Sequence, residues 1–96
     1  MPFTEEKIQQ VWEKGTRVPD NNPNVRRKDA AKAWIRREEH GNRNSKEGWE
    51  IHHIEPDGGD DLSNLRPLQW QNNLGLQKGE VGFKVTSEGD ENIEVD

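Results

Sequence analysis

The stretch GWEIHHIEPDGGDDLSNLRPLQWQNN, residues 48–73, carries most of the fold information in this chain. Apolar and polar residues alternate over 49–54, which predicts a strand whose successive side chains point to opposite faces. The proline and glycines of 56–60 end that strand in a turn. Residues 64–68 predict a short return strand, and residues 69–78 predict a short final helix. The stretch therefore predicts a hairpin of two strands followed by a helix.

Two helices are predicted ahead of this unit. Residues 4–14 combine a capping threonine, two early acids and apolar residues at helical spacing. Residues 27–40 place alanine, tryptophan and isoleucine on one side of a helix and most of the basic residues on the other. The expected fold class is α+β. We expect residues 1–86 to form a single domain, with its core at 48–78, and residues 87–96 to form a flexible acidic tail.

The composition is that of a small domain with little apolar material. Of the 96 residues, 27% are hydrophobic and 34% are charged. A chain this short buries a modest fraction of its surface, so its core is marginal unless a metal, a partner chain or its four tryptophans stabilise it. Cysteine is absent, which excludes disulfides and a four-thiolate zinc site.

The sequence shows no signal of a membrane protein or of a secreted one. No apolar run approaches the roughly 20 residues that span a bilayer. The first residues, MPFTEEKIQQ, lack the basic start and the apolar stretch of a signal peptide. The expected location is therefore the cytoplasm, and no membrane partner is expected.

The net charge of −5 is unevenly distributed. Residues 87–96 hold five acidic residues and no basic one, which accounts for the whole excess. Residues 26–37 hold six basic residues and one acid. This segment offers a basic face for a nucleic acid, although such clusters are also common on solvated helix faces. Its basic members are Arg26, Arg27, Lys28, Lys32, Arg36 and Arg37.

His52 and His53 are the residues best suited to chemistry. Because they are adjacent on a predicted strand, their side chains point to opposite faces and cannot easily hold the same ion. One can bind a metal while the other handles protons, since an unperturbed imidazole titrates at about pH 6.5. A metal site built across the hairpin would also stabilise a thin core. The competing interpretations are a structural core histidine for His53 and a solvated strand residue for His52.

These residues resemble the core motif of HNH endonucleases. The matching residues are Trp49 to Ile54, Pro56, Gly58-Gly59, Asp61 to Leu65, Pro67-Leu68, Trp70 and Asn72-Asn73. The likeness is to small prokaryotic and phage members that lack the cysteine knuckle. It implies a ββα-metal (His-Me finger) core preceded by two helices. It also implies a metal-dependent endonuclease that hydrolyses nucleic-acid phosphodiester bonds.

The resemblance assigns roles to individual residues. His53 would be the general base that activates water, and Asn64 would hold the hairpin loop that orients it. His52 would be the first metal ligand. Asn73, where relatives carry histidine or asparagine, and Gln77, where colicin-type enzymes carry histidine, would be weaker ligands.

The resemblance also implies a divalent metal ion, Mg, Mn, Ni or Zn, as the cofactor. The ion would neutralise charge at the scissile phosphate and the departing 3′ oxygen, leaving 5′-phosphate and 3′-hydroxyl ends. DNA is the expected partner, and RNA is the alternative. Because one such site cuts one strand, cleavage across a duplex requires a homodimer or separate nicks.

Two other functions compete with the endonuclease. A catalytically degenerate HNH fold could hold nucleic acid or protein without cutting, which the amide ligands and the tight spacing from His52 to Asn64 favour. A structural protein could use the histidine hairpin only as a stabilising metal clip. Cleavage and binding assays with and without a chelator separate the three functions.

Overall fold

The computed structural model describes residues 3–95, which form two helices and three two-stranded antiparallel sheets. The strands pair in chain order, β1 with β2, β3 with β4 and β5 with β6. No helix in this described part of the chain is long and apolar enough to cross a membrane. The elements are α1 (Glu5–Trp12), β1 (Arg26–Lys28), β2 (Trp34–Arg36), β3 (Trp49–His53), β4 (Leu65–Gln69), α2 (Trp70–Gln77), β5 (Val85–Glu88) and β6 (Glu91–Glu94), with 3-10 turns at Arg37–Glu39 and Leu62–Asn64. The predicted α+β class is confirmed.

Helix α1 forms where the sequence predicts it, because it has its own cap and a single apolar side. Thr4 accepts a hydrogen bond from the Lys7 N–H at 3.1 Å and so satisfies a free donor of the first turn. Ile8, Val11 and Trp12 lie on one side and are buried. The helix therefore supplies one wall of the core.

The core lies between α1 and the β3–β4 hairpin. The ring centres of Trp12 and Trp49 are 5.3 Å apart. Ile35 from β2 and Leu65 from β4 belong to the same cluster, and all four side chains are fully buried. This packing fixes β3 and β4, and both strands carry residues of the candidate site.

The helix predicted over residues 27–40 is wrong. This segment contains β1, a turn, β2 and a 3-10 turn. Asp29 is the local cause, because its Oδ1 accepts the N–H groups of Ala31 and Ala33 at 2.9 and 2.8 Å. Such side-chain to backbone bonds compete with helical hydrogen bonds. Lys32 then takes a left-handed φ of 67°, and the chain turns back on itself.

The expected architecture, a ββα-metal core preceded by two helices, is therefore wrong. One helix, α1, and the β1–β2 hairpin precede β3. The strands of the described chain form three separate two-stranded sheets. The physical cause is that the segment over residues 26–36 gains side-chain and backbone bonds to distant residues that a helix there would not make.

Residues 87–96, predicted to be a flexible tail, are described up to residue 95 and contribute to the β5–β6 hairpin. The final residue lies outside the described residues. The Asn92 amide accepts from the Trp34 N–H at 2.6 Å and donates to the Trp34 carbonyl at 2.9 Å. The Asn72 amide does the same for Val85, at 2.8 and 3.0 Å. Two asparagines therefore bind this hairpin to the rest of the domain.

Candidate functional site

One cavity brings the histidine pair together with the ligand candidates of the last helix. It measures about 360 Å³. Both His52 and His53 line it, although strand alternation predicts opposite faces, because they end β3 and the chain bends directly after them. The lining residues are His52, His53, Pro56, Gly58, Asn73, Leu76 and Gln77. The structure therefore places the predicted base and the predicted metal ligands around one space.

The position of α2 beside this cavity follows from the strand before it. Strand β4 continues directly into α2 without a loop. Gln69, the last residue of β4, caps the helix, because its Oε1 accepts the N–H groups of Gln71 and Asn72 at 2.8 and 3.2 Å. Asn73 is consequently held in the first turn of α2, next to β3.

Asn64 holds the loop between β3 and β4. Its Oδ1 accepts from the Glu55 N–H at 2.9 Å, and its Nδ2 donates to the carbonyls of Glu55 and Gly59 at 3.1 and 2.9 Å. The backbone of Gly58 lies so close to the Asn64 side chain that a Cβ at position 58 would be 2.6 Å from Asn64 Nδ2. One side chain thus connects both ends of the loop that carries Asp60.

We expect Asn64→Ala to lower the free energy of unfolding by about 2 kcal/mol, because it removes three loop hydrogen bonds, each worth about 1 kcal/mol or less. Thermal unfolding followed by circular dichroism, together with limited proteolysis of the loop, measures the effect. Ser63→Ala, at an exposed neighbouring position, is the control. Equal stability and equal protease resistance of the two variants would contradict the assigned role.

His53 pairs with Asp60 at the cavity. Its Nε2 lies 2.6 Å from Asp60 Oδ1, so the ring donates this N–H to the carboxylate. The Nδ1 atom then carries the lone pair of the neutral imidazole. The His53 side chain is 35% exposed, which gives water access to it. The base candidate therefore has a defined tautomer and a supply of water.

His52 contacts Arg66, its partner across the hairpin. The Arg66 Nε–H donates to His52 Nδ1 at 3.2 Å. Burial lowers the pKa of His52 below its ordinary value, and the positive charge of Arg66 acts in the same direction. The imidazole is therefore neutral at pH 7, which is the form that binds metals. A cation approaching Nδ1 must compete with the Arg66 guanidinium for the lone pair.

Asn73 carries an unpaired oxygen. Its Nδ2 donates to Glu50 Oε1 at 2.9 Å, which fixes the orientation of the amide. Its Oδ1 is buried without a hydrogen-bond partner among the described residues. Leaving such an acceptor unpaired costs about 1–3 kcal/mol, so the oxygen is expected to bind an ordered water or an ion. Burial tends to raise the pKa of Glu50, but bonds from Arg43 and Asn73 outweigh it and lower that pKa, keeping the carboxylate charged.

The cavity lining offers few candidate donors for a divalent ion and no carboxylate. They are the imidazole of His52 and the amide oxygens of Asn73 and Gln77. Within residues 3–95, no group of three His, Cys, Asp or Glu residues could hold a metal ion. Magnesium commonly keeps several waters and binds substrate phosphates in its remaining positions. An ion held by these donors would therefore take most of its coordination from water and substrate.

The predicted basic cluster is dispersed in the structure. Arg26 donates two hydrogen bonds to the Glu47 carboxylate, at 3.0 and 2.6 Å, and Arg36 lies 3.3 Å from the same carboxylate. Arg27 is buried and donates to three backbone carbonyls. The other members are Lys28 over the Trp34 ring, Lys32 in the turn after β1, and Arg37 bonded to Gln9. The lining of the histidine cavity contains none of the six.

Three residues beside the cavity are not identified by the sequence analysis: Glu50, Asp60 and Arg66. Glu50 has a detectable signal, because it lies two positions before His52 and shares its face of the strand. Asp60 reaches His53 only through the path of the loop. Arg66 reaches His52 only through the register of the hairpin, which the sequence pattern leaves open.

Comparisons of the chain with protein-family models, with curated proteins and with solved structures found no match. Its function is therefore inferred from the geometry of the cavity and from the residues around it.

Proposed function

We propose that this chain is a metal-dependent endonuclease of the HNH type that hydrolyses phosphodiester bonds in nucleic acid. The observation that supports this most is a single cavity lined by a histidine bonded to a carboxylate, a second, neutral histidine, and Asn73, whose amide oxygen is buried and unpaired. These groups provide a base for water and donors for a cation in the same space. The resemblance of residues 49–73 to HNH cores supports the same reaction.

His53 is the base in this proposal. Its Nε2–H is held by Asp60, so Nδ1 accepts the proton when water attacks the phosphorus atom. Asp60 keeps the ring in this tautomer and stabilises the imidazolium that forms, as the carboxylate of a catalytic triad does. Asn64 contributes by holding the loop that carries Asp60.

His52 and Asn73, with Gln77 as a weaker donor, would hold the divalent ion, which is Mg, Mn, Ni or Zn in this proposal. When bound, the ion would neutralise charge at the scissile phosphate and the leaving 3′ oxygen. Glu50 bonds to the Nδ2 side of the Asn73 amide, so the buried Oδ1 has no bond to break but would have to be uncovered to reach an ion. The neutral state of His52 removes a positive charge that would repel a cation.

The proposed substrate is DNA, with RNA as the alternative, and the proposed location is the cytoplasm. A protein with one such cavity would hydrolyse one phosphodiester bond at a time. Cleavage of both strands of a duplex then requires a homodimer or two successive nicks.

Wild-type protein is expected to nick supercoiled plasmid in the presence of Mg²⁺, Mn²⁺, Ni²⁺ or Zn²⁺, and to stop when EDTA is added. Gel electrophoresis of the plasmid over time measures the reaction, with relaxed circles appearing before linear DNA. Asn73→Ala, which removes the unpaired oxygen, is expected to require more metal for the same rate. If folded wild-type protein cuts neither DNA nor RNA with any of the four ions, the endonuclease proposal fails.

A nucleic-acid binding module that does not cut is the second candidate. The observation that favours it is the Arg66 bond to His52 Nδ1, which takes up the lone pair of the strongest ligand. Such a protein would bind DNA in a salt-dependent manner without turnover. His53→Ala would then bind as tightly as wild type, and neither protein would nick plasmid.

A further inference from the structure

Arg66 lies between the histidine cavity and a second groove. It is placed on β4 directly opposite His52, and its Nε–H bonds to that residue. Its guanidinium carbon is 5.9 Å from the centre of the Phe83 ring. The Arg66 side chain also lines the second groove, which measures about 290 Å³. Arg66 is therefore the residue that connects the two spaces.

The charge of Arg66 is not neutralised by a carboxylate. No ion pair joins it to an acidic residue within the described part of the chain. Its only side-chain hydrogen bond there uses Nε. The two terminal amino groups, which form the end-on fork of the guanidinium, remain available. Such a fork matches two oxygens of one phosphate.

The second groove adds two more cations. Lys14 and Lys28 line it together with Arg66. The Lys14 ammonium donates to the backbone carbonyls of Leu62 and Leu65, and its charge has no counterion among residues 3–95. Asp29 is the acid in the lining, and it is buried, with both carboxylate oxygens occupied by hydrogen-bond donors. The groove therefore presents positive charge to solvent.

We propose that Arg66 binds a substrate phosphate next to the one cleaved, and that the nucleic-acid backbone continues from there along the groove of Lys14 and Lys28. The inference rests on the proposed function and names the surface that the polyanion occupies. Phosphates along one strand are spaced by several ångströms, so a strand that enters the cavity extends past its walls. Arg66 bonds to His52 of the cavity lining and carries an open guanidinium fork.

Of the six residues in the basic segment that the sequence favours, this path includes only Lys28. Arg26 and Arg36 share the Glu47 carboxylate, and Arg27 is buried, so these three have little capacity to bind a phosphate. A phosphate contact at Arg66 would add an attraction without first breaking an ion pair. The expected ligand is the phosphodiester backbone of a nucleic acid, bound without dependence on base sequence.

The test is binding of a fluorescently labelled DNA duplex in EDTA, followed by anisotropy over a range of salt concentrations. Arg66→Gln is expected to weaken binding about tenfold at low salt and to reduce the slope of log K against log salt by about one. Arg36→Gln removes the same charge from the predicted basic segment and is the matched control, with less than about a twofold effect. Lys28→Gln, a second variant in the groove, is also expected to reduce the slope.

Binding without metal is the decisive readout, because the loss of the Arg66 bond could alter cleavage through His52 alone. If Arg66→Gln, folded as wild type, binds with unchanged affinity and salt slope, the inference is overturned even where wild type cuts plasmid. Equal losses in Arg66→Gln and Arg36→Gln would overturn it as well. A third outcome separates the two proposals. If wild type does not cut nucleic acid, and both Arg66→Gln and Lys28→Gln weaken binding, the binding surface is supported and the endonuclease proposal fails.

Discussion

His53→Ala is expected to reduce plasmid nicking by about 10²–10⁴-fold, the usual contribution of a positioned general base. The reason is that His53 has its tautomer set by the Asp60 carboxylate at 2.6 Å and remains open to water. The measurement is the rate of nicking at saturating metal, compared between wild type and variant at equal protein concentration. Because His53 lies at the end of β3 and is partly exposed, its loss is expected to leave the fold intact.

The matched control for this variant is His40→Ala. This change removes an imidazole whose ring centre lies 4.7 Å from that of Trp49, tilted by 56°, and which is outside the lining of the cavity. Its nicking rate is expected to stay close to that of wild type. Asp60→Asn should reduce the rate less than His53→Ala, because Asp60 acts only through the ring it orients. Nicking by His53→Ala at the wild-type rate would remove His53 from the mechanism.

Asp29→Ala is expected to lower the free energy of unfolding by at least about 3 kcal/mol, which is a large part of the total of a domain this size. The Asp29 carboxylate accepts four hydrogen bonds, at 2.8 to 3.1 Å, and is buried. Removing it leaves three buried donors and one partly buried donor without an acceptor. These donors are the N–H groups of Ala31, Ala33 and Gln69 and the Nδ2 amide of Asn72.

Urea unfolding, followed by tryptophan fluorescence, measures this prediction. Asp57→Ala, which removes an exposed aspartate from the loop after β3, is the control and should change the free energy by less than about 0.5 kcal/mol. Asp29→Asn should also lower the free energy of unfolding. The amide nitrogen that replaces one carboxylate oxygen cannot accept the two hydrogen bonds that this oxygen accepts in wild type. A free energy of unfolding for Asp29→Ala within about 1 kcal/mol of wild type would show that the hydrogen bonds to the Asp29 carboxylate contribute little to stability.

Asp29 also illustrates the effect of burial on ionisation. Burial raises the pKa of its carboxyl group, while the hydrogen bonds from Gln69, Ala33, Asn72 and Ala31 oppose the rise. The folded chain therefore binds this proton more tightly than the unfolded chain does. The contribution of Asp29 to stability is expected to fall as the pH rises from the ordinary aspartate pKa, about 3.9, through its raised value.

The elements that the sequence predicts correctly are those with local signals. Helix α1 has a capping residue and an apolar stripe within 4–14, and both act within one or two turns. The β3–β4 hairpin and α2 follow from the alternation over 49–54, the turn, and a helix that starts directly after the second strand. The approach of Asn73 and Gln77 to the end of β3 follows from this local order, whereas His52 and His53 share one cavity only because the chain bends directly after β3.

The sequence by itself determined a small α+β domain, its first helix, and the hairpin and helix that carry the candidate site, because short-range periodicity and turn residues specify them. Only the tertiary structure decided that residues 26–36 form strands and that Asp60 and Arg66 reach the histidines. The bonds responsible join residues far apart in the chain, from Asp29 to Gln69 and from Trp34 to Asn92. A local helix over 27–40 would forfeit those bonds and leave buried polar groups unpaired, which costs more than helix propensity returns.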